Sequence, residues 1–347
     1  MHRASTFCMP RRADFILKYR IARSALILGT VAVAACGGPH TSSSALPANQ
    51  VRVPQSGPSP TPTPYAFKFQ TIDDPKSGTY TRAGGIDDLE LVVGSVQTSS
   101  SGDTSAFTSE HPYTKFFSIP YPSAKSTFAT GVNPGGRIVV GYFLSPKDLE
   151  TRGFLRVKGD YTEFVSPGTP KGPKSVNELL GVNDNQIAVG FYADRRGNDH
   201  AYEVAESVFV DIKPPHAVSA TANAISLSGT VAGSERLKNG TTEGWMLRSG
   251  SFSQFAYPKS ATTLVNGLSD AFSDNRVVGS YIDKNGTHGF ILTAPGDPSR
   301  EIWQSVDEPK ANGITVIMGM NNHHDISGWY VDSAGKTHGF VGLAKGR

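Results

Sequence analysis

From residue 65 onward, short apolar runs alternate with polar turns at regular spacing. One run with a central glycine recurs six times: ELVVGSV at 90–96, RIVVGYF at 137–143, QIAVGFY at 186–192, GTVAGSE at 229–235, RVVGSYI at 276–282 and DISGWYV at 325–331. The anchor glycines Gly94, Gly141, Gly190, Gly233, Gly279 and Gly328 lie 47, 49, 43, 46 and 49 residues apart. Eleven to thirteen residues after each comes an aromatic behind a small residue: Phe107, Phe154, Tyr202, Trp245, Phe290 and Phe340. No stretch carries the 3.6-residue period of an amphipathic helix, and a short-strand repeat of about 47 residues matches a propeller blade.

Each unit reads as four strands. The first ends in a turn such as Gly85-Ile86-Asp87 or Gly131-Val132-Asn133, the second holds the anchor glycine, and the third holds the aromatic. The fourth alternates, as in Phe252-Ser253-Gln254-Phe255. The last unit stops after three strands, and an orphan fourth strand at 66–72 precedes the first unit. Pairing the two predicts an all-β, six-bladed β-propeller closed by residues 66–72, since an open stack would leave unpaired edges. The anchor glycines are expected to leave room for an aromatic or a neighbouring backbone.

The N-terminal part has another character. Residues 1–35 carry six Lys/Arg and one acid; taking these from the chain's 33 bases and 30 acids leaves 27 and 29, a slightly acidic remainder. A nucleic-acid partner needs a basic footprint on the folded part, so none is expected. The apolar run at 25–35 would rise only about 16 Å as a helix, too short to span a ~30 Å hydrocarbon core. With its basic flank it reads as a secretory signal. Residues 37–64 hold seven Pro, eight Ser/Thr and a single Lys/Arg/Asp/Glu, Arg52, the composition of an extended tether. The expected organisation is a signal peptide at 1–35, Cys36 with a tether to 64, and the repeats at 65–347.

Two resemblances add to this. Val33-Ala34-Ala35-Cys36 resembles the lipobox of bacterial lipoproteins, which implies acylation of Cys36 and cleavage just before it. His288-Gly289-Phe290 and His338-Gly339-Phe340 resemble the HAF-type extracellular repeats of bacterial proteins, a likeness covering 65–347. The third unit keeps the His (His200), whereas the others place Ser105, Arg152 and Glu243 there. The repeat resemblance implies export and no defined chemistry. The expectation is an exported, membrane-anchored lipoprotein of the cell envelope, periplasmic or at the surface. It would be a monomer without cofactor, touching the membrane through its lipid alone and binding an envelope glycan or protein.

The candidate chemistry is sparse. Asp194, Asp283 and Asp332 precede His200, His288 and His338 across glycine-bearing turns, and turn bonds with a cross-strand hydrogen bond explain them better than a metal does. Asn322-His323-His324-Asp325 reads as a polar turn. The residues closing the first strands, Asp87, Asn133, Asn183, Ser269 and Asn321 with Asn223 as a looser match, form a candidate polar ring at the channel mouth. Asx turns account for this set as well. No catalytic residue is assigned. The alternative function, a propeller glycan hydrolase or lyase at that mouth, would have to recruit Asp88, Asp184 or Asp270 as paired carboxylates.

Overall fold

The computed structural model describes residues 64–75, 77, 80–97, 102–269 and 275–345; the expected signal peptide, Cys36 and nearly all of the expected tether lie outside them. The described residues form strands and turns with no helix. After β1 (Phe67–Ile72), the first antiparallel group is β2 (Thr81–Ile86), β3 (Val92–Gln97), β4 (Thr104–Ser109) and β5 (Phe117–Ser118). The second is β6 (Ser126–Val132), β7 (Ile138–Leu144), β8 (Thr151–Val157) and β9 (Asp160–Phe164). The third is β10 (Asn177–Val182), β11 (Ala188–Ala193), β12 (Asp199–Ala205) and β13 (Val208–Asp211). The fourth is β14 (Ala217–Ile225), β15 (Val231–Leu237), β16 (Thr242–Arg248) and β17 (Ser251–Phe255). The fifth is β18 (Thr262–Ser269), β19 (Arg276–Asp283), β20 (Gly286–Thr293) and β21 (Ile302–Val306).

The last three strands, β22 (Ile314–Met320), β23 (Ile326–Val331) and β24 (Thr337–Ala344), receive β1 as their fourth. Its antiparallel register runs from Phe67 opposite Ala344 to Ile72 opposite Gly339. The first strand of each group packs on the first three strands of the group before it, and β2 packs in the same way on β22, β23 and β24. The core lies between groups. Val93, Ala106 and Ile119 meet Ala129, Val139, Phe143 and Phe154, for example, and Tyr257 stacks on Tyr281 at 3.5 Å.

All six first strands carry a register shift at the same place, as between Ala129 and Gly131 or Ile317 and Gly319. The shift brings neighbouring first strands into backbone contact. A Cβ on Gly131 would lie 2.6 Å from the Leu180 carbonyl, and one on Gly319 would lie 3.1 Å from the Gly85 Cα. Glycine is required there because another backbone occupies the side-chain space. The result is a narrow waist with a cavity of only about 80 Å³, lined by residues that include Thr130, Leu180, Asn223, Asn266 and Met318.

Candidate functional site

The turns that close the first strands share one construction. Asp87 Oδ1 accepts from the Leu89 and Leu91 amides at 2.9 and 2.7 Å, and Asn133 Oδ1 from Arg137 and Ile138 at 2.9 and 2.7 Å. Asn183 Oδ1 accepts from Asn185 and Ile187 at 3.0 and 3.1 Å, and Asn321 Oδ1 from His323 and Asp325 at 3.0 and 2.8 Å. A short polar side chain is favoured here because its oxygen satisfies turn amides that no ladder reaches.

The asparagine amides then reach the next group. Asn133 Nδ2 donates to Asp184, Asn183 Nδ2 to the Ser226 carbonyl at 2.9 Å, and Asn321 Nδ2 to the Asp87 carbonyl at 2.9 Å. Ser269 donates to Asn322 Oδ1 at 3.2 Å. Asp87, Asn133, Asn183, Ser269 and Asn321 are all no more than 4 % exposed. Their hydrogen bonds are spent within turns and between groups, so they staple the groups together instead of facing a ligand. Asn223 needs correction. It lies inside β14, half-buried on the wall of the small cavity between the first strands, while Ser226 takes the turn position and accepts from the Thr230 amide at 3.1 Å.

Asp87 is the acidic member of this set, and burial pushes its carboxyl up to about 6, with Asp88 and Glu110 adding to the effect against two turn amides. A folded-state value above the ordinary 3.8 means that ionisation opposes folding, so this site loses stability as pH rises from about 4 through 6. Asp87→Asn keeps the turn acceptor and removes the charge. It is expected to match the parent near pH 4 and to gain about 1–2 kcal/mol, roughly 2–4 °C, at pH 8. Melting curves across that range check this; no gain at pH 8 would overturn it.

Beside this ring lies a depression of about 790 Å³ between the turns of the first three groups, lined by Asp88, Leu89, Pro134, Arg137, Lys158, Asp184 and Gln186 among others. Leu89 is 79 % exposed. The Asp88 carboxylate accepts from the Asn322 amide at 2.8 Å and its side-chain nitrogen at 2.9 Å. Asp184 accepts from the Gly135 amide at 3.3 Å as well as from Asn133. Asp270 lies outside the described residues.

The three Asp–His hairpins are built alike. Asp194, Asp283 and Asp332 each bond two turn amides and the His beyond, at 3.2, 3.2 and 3.0 Å. Each His stacks on a tyrosine, as His288 does on Tyr281. A second carboxylate meets the Nδ1 of His288 (Asp307, 2.7 Å) and of His338 (Asp73, 2.7 Å), whereas the third group has Lys213 at that place. Burial opposes charge on His288, but Asp307 and Asp283 outweigh it and raise its pKa. Among the described residues no group of three or more His, Cys, Asp or Glu is arranged to hold a metal ion. Asn322-His323-His324-Asp325 belongs to the Asn321 turn.

Residues that the sequence pattern did not single out gather where the first strands begin, away from these turns. The Arg82 guanidinium lies 4.3 Å from the Trp329 ring centre and 5.1 Å from that of Tyr80. Phe128 and Tyr142 stack at 4.7 Å. Burial, the Glu178 carboxylate and Tyr80 all raise the Tyr142 phenol, with Arg82 opposing. Their signal was the aromatic directly after the anchor glycine in Gly141-Tyr142, Gly190-Phe191 and Gly328-Trp329.

No protein-family model and no curated protein sequence matches the chain. Among solved structures it is similar to putative TolB from Agrobacterium tumefaciens, with a TM-score of 0.52 at 10 % identity over 78 % of this chain and 91 % of that one. AofleA from Arthrobotrys oligospora gives 0.51 at 10 % identity, over 83 % and 90 % of the two chains. TolB from Acinetobacter baumannii gives 0.50 at 10 % identity, over 74 % and 64 %. At such identities the likeness speaks to fold alone. The chain is an all-β protein of β-propeller fold.

Proposed function

We propose that the chain is a six-bladed propeller closed by β1 on β24, held at the bacterial cell envelope by a lipid on Cys36, and that it binds an envelope protein or glycan through its turn-bearing mouth. The six like groups, their cyclic packing and the signal-type N-terminus support the architecture and address. The TolB-like fold is consistent with an envelope location. One observation carries the binding role: the depression of about 790 Å³, with charges of both signs and the 79 % exposed Leu89 on its wall. A concavity that carries both carboxylates and cations can set complementary charges against a partner's polar surface.

The glycan hydrolase or lyase reading needs two carboxylates free to face a substrate. Asp87 is 1 % exposed, and Asp88 and Asp184 are held by backbone and asparagine donors. The mouth therefore favours binding over cleavage. A photo-crosslinking residue at Leu89 is expected to capture a partner in the membrane fraction of the producing bacterium, and one at the outer-strand Val208 is not. The Cys36→Ser chain should move to the soluble fraction. Equal capture at both positions would overturn the mouth reading, and membrane retention of Cys36→Ser would overturn the anchor.

A further inference from the structure

The starts of the first strands, away from these turns, carry a different layer. Two residues before Thr130, Leu180, Asn223, Asn266 and Met318, on the same strand faces, stand Phe128, Glu178, Thr221, Leu264 and Val316. Arg82 holds the corresponding place in β2. Across the ladder these residues face Tyr142, Phe191, Ser234, Ser280 and Trp329, and Arg82 faces Ser95. Three groups thus offer an aromatic ring at this level and three offer a serine.

The arrangement is lopsided in a useful way. Arg82 is exposed, yet its guanidinium is stacked against the rings of Trp329 and Tyr80. Such stacking fixes the plane of the guanidinium and leaves its N–H edge free, and an arginine held that way is prepared for a planar, two-oxygen acceptor. Among the described residues no hydrogen bond or ion pair engages the Arg82 guanidinium, and no hydrogen bond engages the Tyr142 hydroxyl or the Trp329 indole N–H. Glu178 stands on the neighbouring strand beside Thr151, and burial first, then Asp199, pushes its carboxyl up to about 7. It can therefore donate or accept at neutral pH. A phosphate would meet that carboxylate at a cost, whereas a sugar hydroxyl would not.

The geometry points to a binding site at the start of the first strands for a carboxylate-bearing saccharide. Arg82 takes the carboxylate through paired N–H bonds. The half-buried rings of Phe128 and Trp329 pack against the C–H face of the sugar, and Tyr142 and Glu178 take its hydroxyls. This site stands apart from the mouth-face reading and does not depend on it.

The test uses the full chain and its tryptophan fluorescence. Trp245 is fully buried and Trp303 packs in the core on Tyr257, so Trp329 is the reporter at this site. The probe is trigalacturonic acid, with neutral galactotriose and a tri-glutamate peptide as comparisons. The expected result is a saturable signal change with the uronide, at least tenfold tighter than with either comparison. Arg82→Gln should weaken it tenfold or more at an unchanged melting temperature, with Arg82→Lys recovering only part. Absence of a saturable response, equal affinity for galactotriose, or unaltered affinity in Arg82→Gln would overturn the site. Equal or tighter binding of tri-glutamate would overturn it in favour of an acidic peptide.

Discussion

A chain lacking residues 65–72 is expected to lose its cooperative melt. The deletion removes the six-residue register of β1 with β24 and the 1 % exposed Ile72. It also strips Phe67 and Phe69 from the cluster of Ile317, Ile326, Tyr330 and Phe340. At about 1.5–3 kcal/mol for each large apolar side chain taken out of water, the loss approaches the 5–15 kcal/mol that holds an ordinary domain together. The sixth group would also be left with an open edge along β24. Circular dichroism melts and limited proteolysis of the deleted chain against the parent check this. Because strand addition can work between molecules, a synthetic 65–73 peptide should restore part of the transition. A deleted chain that melts like the parent would show that β1 decorates the fold without completing it.

The second large effect is expected at an anchor glycine. A Cβ on Gly233 would strike the Thr221 carbonyl on the adjacent strand and lie 2.7 Å from the Trp245 ring, which is itself fully buried. Neither the strand nor the indole has room to yield. Gly233→Ala is therefore expected to cost about 3 kcal/mol, a drop of roughly 6–10 °C. Gly240 is the useful comparison. It sits in a turn at φ +87° with nothing near a Cβ, so Gly240→Ala should cost about 1 kcal/mol from backbone strain alone. Urea unfolding of both variants separates crowding from strain, and equal losses would refute the packing role given to the anchor glycines.

Those glycines were legible in the sequence because one geometric demand recurs six times and each recurrence leaves the same letter. The all-β reading and the fourth-strand role of 66–72, observed as Phe67–Ile72, were legible for the same reason. The turn set was readable at Asp87, Asn133, Asn183, Ser269 and Asn321, where a turn needs a short polar acceptor. It failed at Asn223 because the fourth unit spells Ala224-Ile225-Ser226, and the register shift between Ala222 and Ala224 disguises the alternation. What periodicity could not show was direction. These side chains are turned into the structure and consumed there, a property of packing that residue type does not encode. The cluster at the start of the first strands was obscured by the repeat itself. Arg82 and Trp329 lie far apart in the chain, and the aromatic after the anchor glycine occurs in only three of six units.

The register that pairs Phe67 with Ala344 also sets an order of events. Among the described residues β1 is the first strand and β24 the last, so β1 waits, edge exposed, until the five groups between them have been made. Contacts this remote in sequence form slowly, and an unpaired strand in the meantime invites association with other chains. Completion of the sixth group is therefore deferred until β24 is there to receive β1.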